Sequence, residues 1–176
     1  MTDYRKYIQT IEDFPKPGIR FYDISPLLGS GTVFASAIAD MSKPLRDQVN
    51  KIVGFDARGF VFGAAMALEL GVGFVMLRKP GKLPGTIESV NYGLEYGTNT
   101  LEMQTDAIGS GDRVVLVDDV IATGGTARAG IELVRRVGGE VVAFSALLDL
   151  PALGGSQSIS KLNVPVHSLL RISNEG

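Results

Sequence analysis

Cysteine is absent from the 176 residues and histidine occurs once. The first absence excludes disulfides and cysteine-based metal sites, and it gives no sign of an oxidising compartment. The second leaves His167 unable to build a metal cluster alone; in the alternating segment Val164 to Leu170 it reads as a strand-face histidine rather than a catalytic one. No basic block occurs, and 17 Lys and Arg against 19 Asp and Glu give a formal net charge of −2. Non-specific nucleic-acid binding and polybasic membrane attachment are therefore excluded. No apolar run approaches a membrane span. Met1 to Thr10, with Asp3, Arg5 and Lys6, lacks the apolar core of a signal peptide, so a soluble cytoplasmic protein is expected. Two nucleotide signatures are missing as well: no lysine precedes a Ser/Thr in a P-loop, and there is no dinucleotide fingerprint of three spaced glycines. What remains is a globular composition, 45% hydrophobic and 20% charged, at a length that suits one well-cored domain.

The stretch that carries chemistry runs from Val114 to Thr126. A β-branched apolar run meets Asp118 and Asp119, so the strand is expected to stop there with both acids facing a solvated crevice. Ala122, Thr123, Gly124, Gly125 and Thr126 then form a turn, and a helical pattern begins at Ala127. Free backbone N–H groups, two threonine hydroxyls and the positive end of a helix make this turn a phosphate site. Two carboxylates beside it would repel a polyphosphate, but they suit the vicinal hydroxyls of a ribose whose 5-phosphate sits in the turn. This is the pattern of the phosphoribosyl-diphosphate (PRPP) signature.

Around that run, the spacing predicts weak helix over 3–12, a packed Pro/Gly loop from Phe14 to Leu28, and an amphipathic helix over 32–49 perturbed near Pro44. It then predicts a strand from Lys51 to Phe55, a helix from Phe60 to Leu70 stopped by Gly71, and a strand from Gly73 to Leu77. Residues 79–105 are punctuated by glycines and read as an extended flap or hairpin with little core of its own. A helix from Ala127 to Val137, a strand from Glu140 to Leu148 and a strand from Val164 to Leu170 complete the chain. Strands alternating with helices imply a doubly wound, mainly parallel α/β sheet, whose ligands bind at the carboxyl ends of its strands. Asp56-Ala57-Arg58-Gly59, Arg78-Lys79 and Asp118-Asp119 all fall at such ends.

The motifs now resemble one family. Asp13 to Ile19, Asp23 to Pro26, Asp56 to Phe60, Arg78 to Gly85, Leu94 to Gly97 and the PRPP run stand in the order of the adenine phosphoribosyltransferases. The PRPP run alone is similar to the whole superfamily; the pieces at 78–85 and 94–97 narrow it to the adenine branch. The resemblance implies the type I phosphoribosyltransferase fold over 1–176 as a single domain, with an N-terminal base-binding hood at 1–30 and a flexible flap at 79–105. It also implies the reaction: ribose 5-phosphate passes from PRPP to N9 of adenine, giving AMP and pyrophosphate.

Roles follow from that reaction. Ala122 to Thr126 would hold the 5-phosphate, while Asp118 and Asp119 accept from the ribose hydroxyls and stabilise positive charge as the C1–pyrophosphate bond loosens. Arg58, Lys79 and Lys82 are candidates for neutralising pyrophosphate, together with Mg²⁺ carried in by PRPP, since no all-protein metal cage is visible. The resemblance gives Arg78 to a site across a homodimer interface. It assigns adenine to Ile19, Arg20, Phe21 and Tyr22 through backbone groups and stacking, with Tyr22 standing where many relatives carry an arginine. Ala122 stands where several other phosphoribosyltransferases carry an aspartate, so loop base catalysis is unavailable, and the resemblance places Glu95 over the base near N7. Two other readings remain: a 6-oxopurine phosphoribosyltransferase for xanthine or hypoxanthine, and a PRPP-sensing regulator. The regulator would need a nucleic-acid-binding module or basic patch, which this chain lacks.

Overall fold

Apolar β-branched runs become the strands of a central sheet, and the 3.6-period segments between them become its covering helices. The computed structural model describes residues 2–93 and 99–173. In chain order the elements are β1 (Gln9–Ile11), β2 (Phe21–Asp23), α1 (Ser25–Gly29), α2 (Gly31–Ser42), β3 (Lys51–Phe55), α3 (Arg58–Leu70) and β4 (Gly73–Leu77). They continue with β5 (Ile87–Tyr92), β6 (Asn99–Gln104), β7 (Arg113–Ile121), α4 (Gly125–Arg136), β8 (Glu140–Asp149), α5 (Gly155–Ser160) and β9 (Val166–Arg171).

The main sheet has five strands in the order β4-β3-β7-β8-β9, and every neighbouring pair is parallel. From β3 the chain first steps outward to β4, then returns across β3 to β7 and proceeds to the other edge. The direction of winding thus reverses between β3 and β7, where an open α/β sheet splits its connections and leaves a crevice. Both faces are covered. Phe62 and Met66 of α3 and Ile38 and Met41 of α2 pack on Ile52, Val115 and Val117. On the opposite face Ile131 and Val134 of α4 meet Val53, Phe55, Leu116 and Phe144. Burying side chains of this size stabilises the fold by about 1.5–3 kcal/mol each.

Several expectations are corrected. β7 does not stop at its acids but runs on to Ile121, because β8 keeps pairing with it through Asp118–Ala146, Val120–Leu148 and Ile121–Asp149. α4 begins at Gly125, two residues before the expected start, since Gly124 takes a left-handed conformation and admits the next residues to the first turn. Residues 3–12 are not helical beyond a 3₁₀ turn at Tyr4–Tyr7; β1 follows and pairs antiparallel with β2. α1 and α5 were not foreseen. α2 ends at Ser42, and a 3₁₀ turn at Lys43–Leu45 carries the chain past Pro44. Within 79–105, β5 and β6 form an antiparallel ladder that has no separate core and instead lays Val90, Leu101 and Met103 into the α4 cluster. Among the described residues no helix is long and apolar enough to cross a membrane.

Candidate functional site

At the switch point the β3–β7 ladder ends at the Gly54–Val117 pair, while β8 accompanies β7 to Ile121. The side of β7 vacated by β3 opens into a cavity of about 350 Å³. Its wall brings together Asp118, Asp119, the whole turn Ala122 to Thr126, Arg58 and Lys79, as well as Asp56 and Tyr92, which had no assigned role. Residues remote in sequence meet here because parallel strands end on the same side of the sheet.

The two acids differ in surroundings. Asp119 is 4% exposed and pairs with Nε of Arg58 at 2.8 Å. Asp118 is half-buried, and its Oδ1 accepts the Asp119 N–H at 2.9 Å. Burial pushes the Asp118 carboxyl well above the usual carboxylate range, and the adjacent Asp119 charge pushes it further. Burial also raises Asp119, against the opposing pull of the Arg58 guanidinium. Two crowded carboxylates with one cation paired to Asp119 gain from any hydroxyl donor that enters the cavity. Arg58 in turn lies over the ring of Phe21, with 5.3 Å from guanidinium carbon to ring centroid, so a cation–π contact ties β2 to the acids.

The turn presents donors. Gly124, at φ +83°, is the N-cap of α4, and among the described residues no side chain caps that helix end. The first-turn N–H groups are therefore free to meet an anion at the positive end of a 12-residue helix. The Thr126 hydroxyl lies 3.4 Å from the Tyr92 hydroxyl, which joins the end of β5 to the turn.

The cations gather on Asp56. Arg78 Nε is 3.1 Å and Lys82 Nζ 3.6 Å from the same Asp56 oxygen, so both are held against a wall residue without lining the cavity, while Lys79 lines it. The chain beyond β4 is held by paired backbone bonds between Arg78 and Glu102. Asp56 was visible as a strand-end acid, but its anchoring of two cations was not. Tyr92 carried no signal beyond closing an alternating strand.

The N-terminal segment is split by strand alternation. Phe21 faces Arg58, whereas the Tyr22 ring turns inward, 9% exposed, among Tyr4, Ile8 and Ile24. The Tyr22 ring is thus packed in the core, while its backbone remains on β2. Ile19 is exposed, and Arg20 is drawn outward by Glu12 at 2.7 Å. Glu95 lies outside the described residues, as does the rest of 94–98. Among the described residues no group of three or more His, Asp or Glu is placed to hold a metal ion.

Comparison with known proteins agrees with this geometry. The phosphoribosyl transferase domain family matches residues 28–166. The adenine phosphoribosyltransferase of Psychromonas ingrahamii is 47% identical over 176 residues, covering 99% of this chain and 97% of that protein. The crystal structure of the Rhodothermus marinus adenine phosphoribosyltransferase superposes with a TM-score of 0.89 at 47% identity, covering 96% of each chain. The Saccharomyces cerevisiae enzyme, complexed with an imino-altritol bisphosphate and adenine, gives a TM-score of 0.89 at 39% identity, over 96% of this chain and 97% of that one.

Proposed function

The chain belongs to the phosphoribosyl transferase domain family, and on that premise we propose that it is an adenine phosphoribosyltransferase, forming AMP and pyrophosphate from adenine and PRPP. The observation that carries the reading is one cavity holding an acid pair, Asp119 buried and Asp118 half-buried, beside the N-terminus of α4. The yeast relative, which binds a sugar-like bisphosphate together with adenine, supports the choice of ligands.

In this reading the first-turn N–H groups of α4 and the hydroxyls of Thr123 and Thr126 bind the 5-phosphate. The ribose 2- and 3-hydroxyls donate to Asp118 and Asp119. Those bonds stabilise the charged carboxylates, which then face the positive charge that develops at C1 as the diphosphate leaves. Mg²⁺ enters as part of the substrate, Mg–PRPP. Arg58, Lys79 and Lys82 neutralise the departing diphosphate, and Lys82 exchanges its Asp56 contact for it. Adenine lies against Ile19 to Tyr22, with the Phe21 face already turned toward the site by Arg58 and the Tyr22 backbone as a hydrogen-bonding group. Glu95 governs the purine proton near N7, and a flap at 79–105 excludes water. Residues 1–176 act as one catalytic domain with its hood at 1–30, in the cytoplasm, as a homodimer in which Arg78 serves the partner's site.

The test is purified protein with Mg²⁺, PRPP and each purine base. AMP from adenine, with no nucleotide from hypoxanthine, guanine or xanthine, is the expected result. Preference for a 6-oxopurine would overturn the base assignment, because an adenine pocket accepts from the 6-amino group where a 6-oxopurine pocket must donate.

A further inference from the structure

The turn that binds phosphate is pressed against a second turn with no chemistry of its own. Between β8 and α5 the chain passes through Gly154, at φ +75°, and enters α5 at buried Gly155. The Gly155 N–H donates to the Ala122 carbonyl at 3.0 Å, and just before it the Leu150 N–H donates to the Ile121 carbonyl at 3.0 Å. The two backbones approach so closely that a Cβ on Gly155 would lie 2.3 Å from the Ala122 oxygen and 2.9 Å from the Gly124 nitrogen. The approach is mutual, since a Cβ on Gly124 would lie 3.0 Å from both Cα and the carbonyl oxygen of Gly155. Gly155 is not among the glycines at positive φ, so its backbone conformation would accept a side chain. Space is what demands glycine there.

The geometry points to Gly155 as a positioning residue for the 5-phosphate: the turn after β8 is a backbone brace that fixes the phosphate turn from behind. This rests on the reading of Ala122 to Thr126 as the phosphate site. A carbon normally stands about 3.3 Å or more from a carbonyl oxygen, so one methyl group at 155 must part the two turns by roughly 1 Å. Ala122 and Gly124 are backbone, and no flexible side chain can absorb the shift. The N–H groups of Thr123 to Thr126 move with them, and a 1 Å misplacement is enough to cost on the order of 100-fold in a preorganised site.

The test is Gly155→Ala, with KM for PRPP and for adenine measured separately and ribose 5-phosphate titrated calorimetrically. The expected result is a rise of at least roughly tenfold in both KM for PRPP and Kd for ribose 5-phosphate, with KM for adenine within about twofold. A purely structural glycine would lower the melting temperature or the active fraction and leave both constants alone. Gly154→Ala is the second variant: among the described residues nothing lies within 4 Å of its Cβ, so it strains the brace through φ without a clash. It should raise KM for PRPP in the same direction by about twofold to fivefold. An unchanged KM for PRPP in folded Gly155→Ala overturns the inference, and if that protein does not fold, an unchanged KM in Gly154→Ala overturns it. Failure of the unaltered protein to make AMP would instead sink the activity reading, while inorganic phosphate titrated into both proteins would still report whether the anion site depends on Gly155.

Discussion

Replacing Asp118 by asparagine should make the ligand-free protein more stable and the enzyme much worse. The substitution keeps size and shape, and an amide oxygen can still accept the Asp119 N–H now held at 2.9 Å. What disappears is a charge that burial and the neighbouring carboxylate both disfavour. The sign follows from linkage. A carboxyl whose folded value lies above its unfolded one binds protons more readily in the native state. Its contribution to stability is fully present below the unfolded value, about 3.9, and is lost as pH rises through the raised folded value. Neutral pH is therefore where Asp118 costs the empty fold most, and the asparagine variant escapes that cost.

The scale is that of an incompletely satisfied buried polar group, about 1–3 kcal/mol. For a chain of this length each kcal/mol moves the melting temperature by roughly 2–4 °C. Calorimetry of both proteins from pH 4 to pH 8 should show the variant melting several degrees higher at neutral pH, with the gap closing toward pH 4. Asp119→Asn should show no such gain, because it also strips Arg58 of the partner it holds at 2.8 Å. In turnover, loss of charge-assisted bonds worth about 1.5–3 kcal/mol should lower kcat/KM for PRPP by roughly 10- to 150-fold. A variant that melts no higher at neutral pH, or one whose gain does not vary with pH, would refute the account of the acid pair.

That the acids, the phosphate turn and Arg58 share a cavity was legible from one rule, namely that parallel strands deliver their loops to one side. Continuous apolar runs sufficed for β3 and β8, which are buried along most of their length, and periodicity located the three longer helices, though not the end of α2 at Ser42. It failed where pairing in space decided the outcome. β7 continues through Asp118 and Asp119 only because β8 lies beside it, which no pattern within 114–121 can reveal. β1 and β2 are three residues each, too short to show alternation, yet their alternation decides that Phe21 faces the site and Tyr22 the core. α5 is built from one glycine, three serines and a glutamine around one buried isoleucine, Ile159, and shows no apolar stripe. The pairing of Arg58 with Asp119 joins two motifs that sequence could identify one by one but not connect.

Three further predictions separate the parts of the site. Glu95→Gln should lower kcat by about 10²- to 10⁴-fold with far less change in KM for PRPP, as expected for a group that acts on the purine proton; equal turnover would remove Glu95 from that role. Arg58→Gln leaves buried Asp119 beside Asp118 without its cation. Because the Arg58 side chain is 44% exposed and screened by solvent, the loss should be only about 1–2 kcal/mol, read as a lower urea midpoint at unchanged slope. Gly59→Ala tests whether the acids and the phosphate turn are independently supported. Gly59 lies in the first turn of α3, where a Cβ would stand 2.7 Å from the Val117 carbonyl oxygen and 3.0 Å from Asp118 Oδ1. Overpacking of this kind costs about 1–3 kcal/mol and pushes on β7 at its first acid, leaving the Gly155 brace untouched. Turnover should therefore fall while inorganic phosphate binds as in the unaltered protein, the inverse of the binding defect expected for Gly155→Ala. If Gly59→Ala weakened phosphate binding as strongly as turnover, ribose and phosphate recognition would have to be one rigid unit, and the division of labour between α3 and the turn after β8 would be wrong.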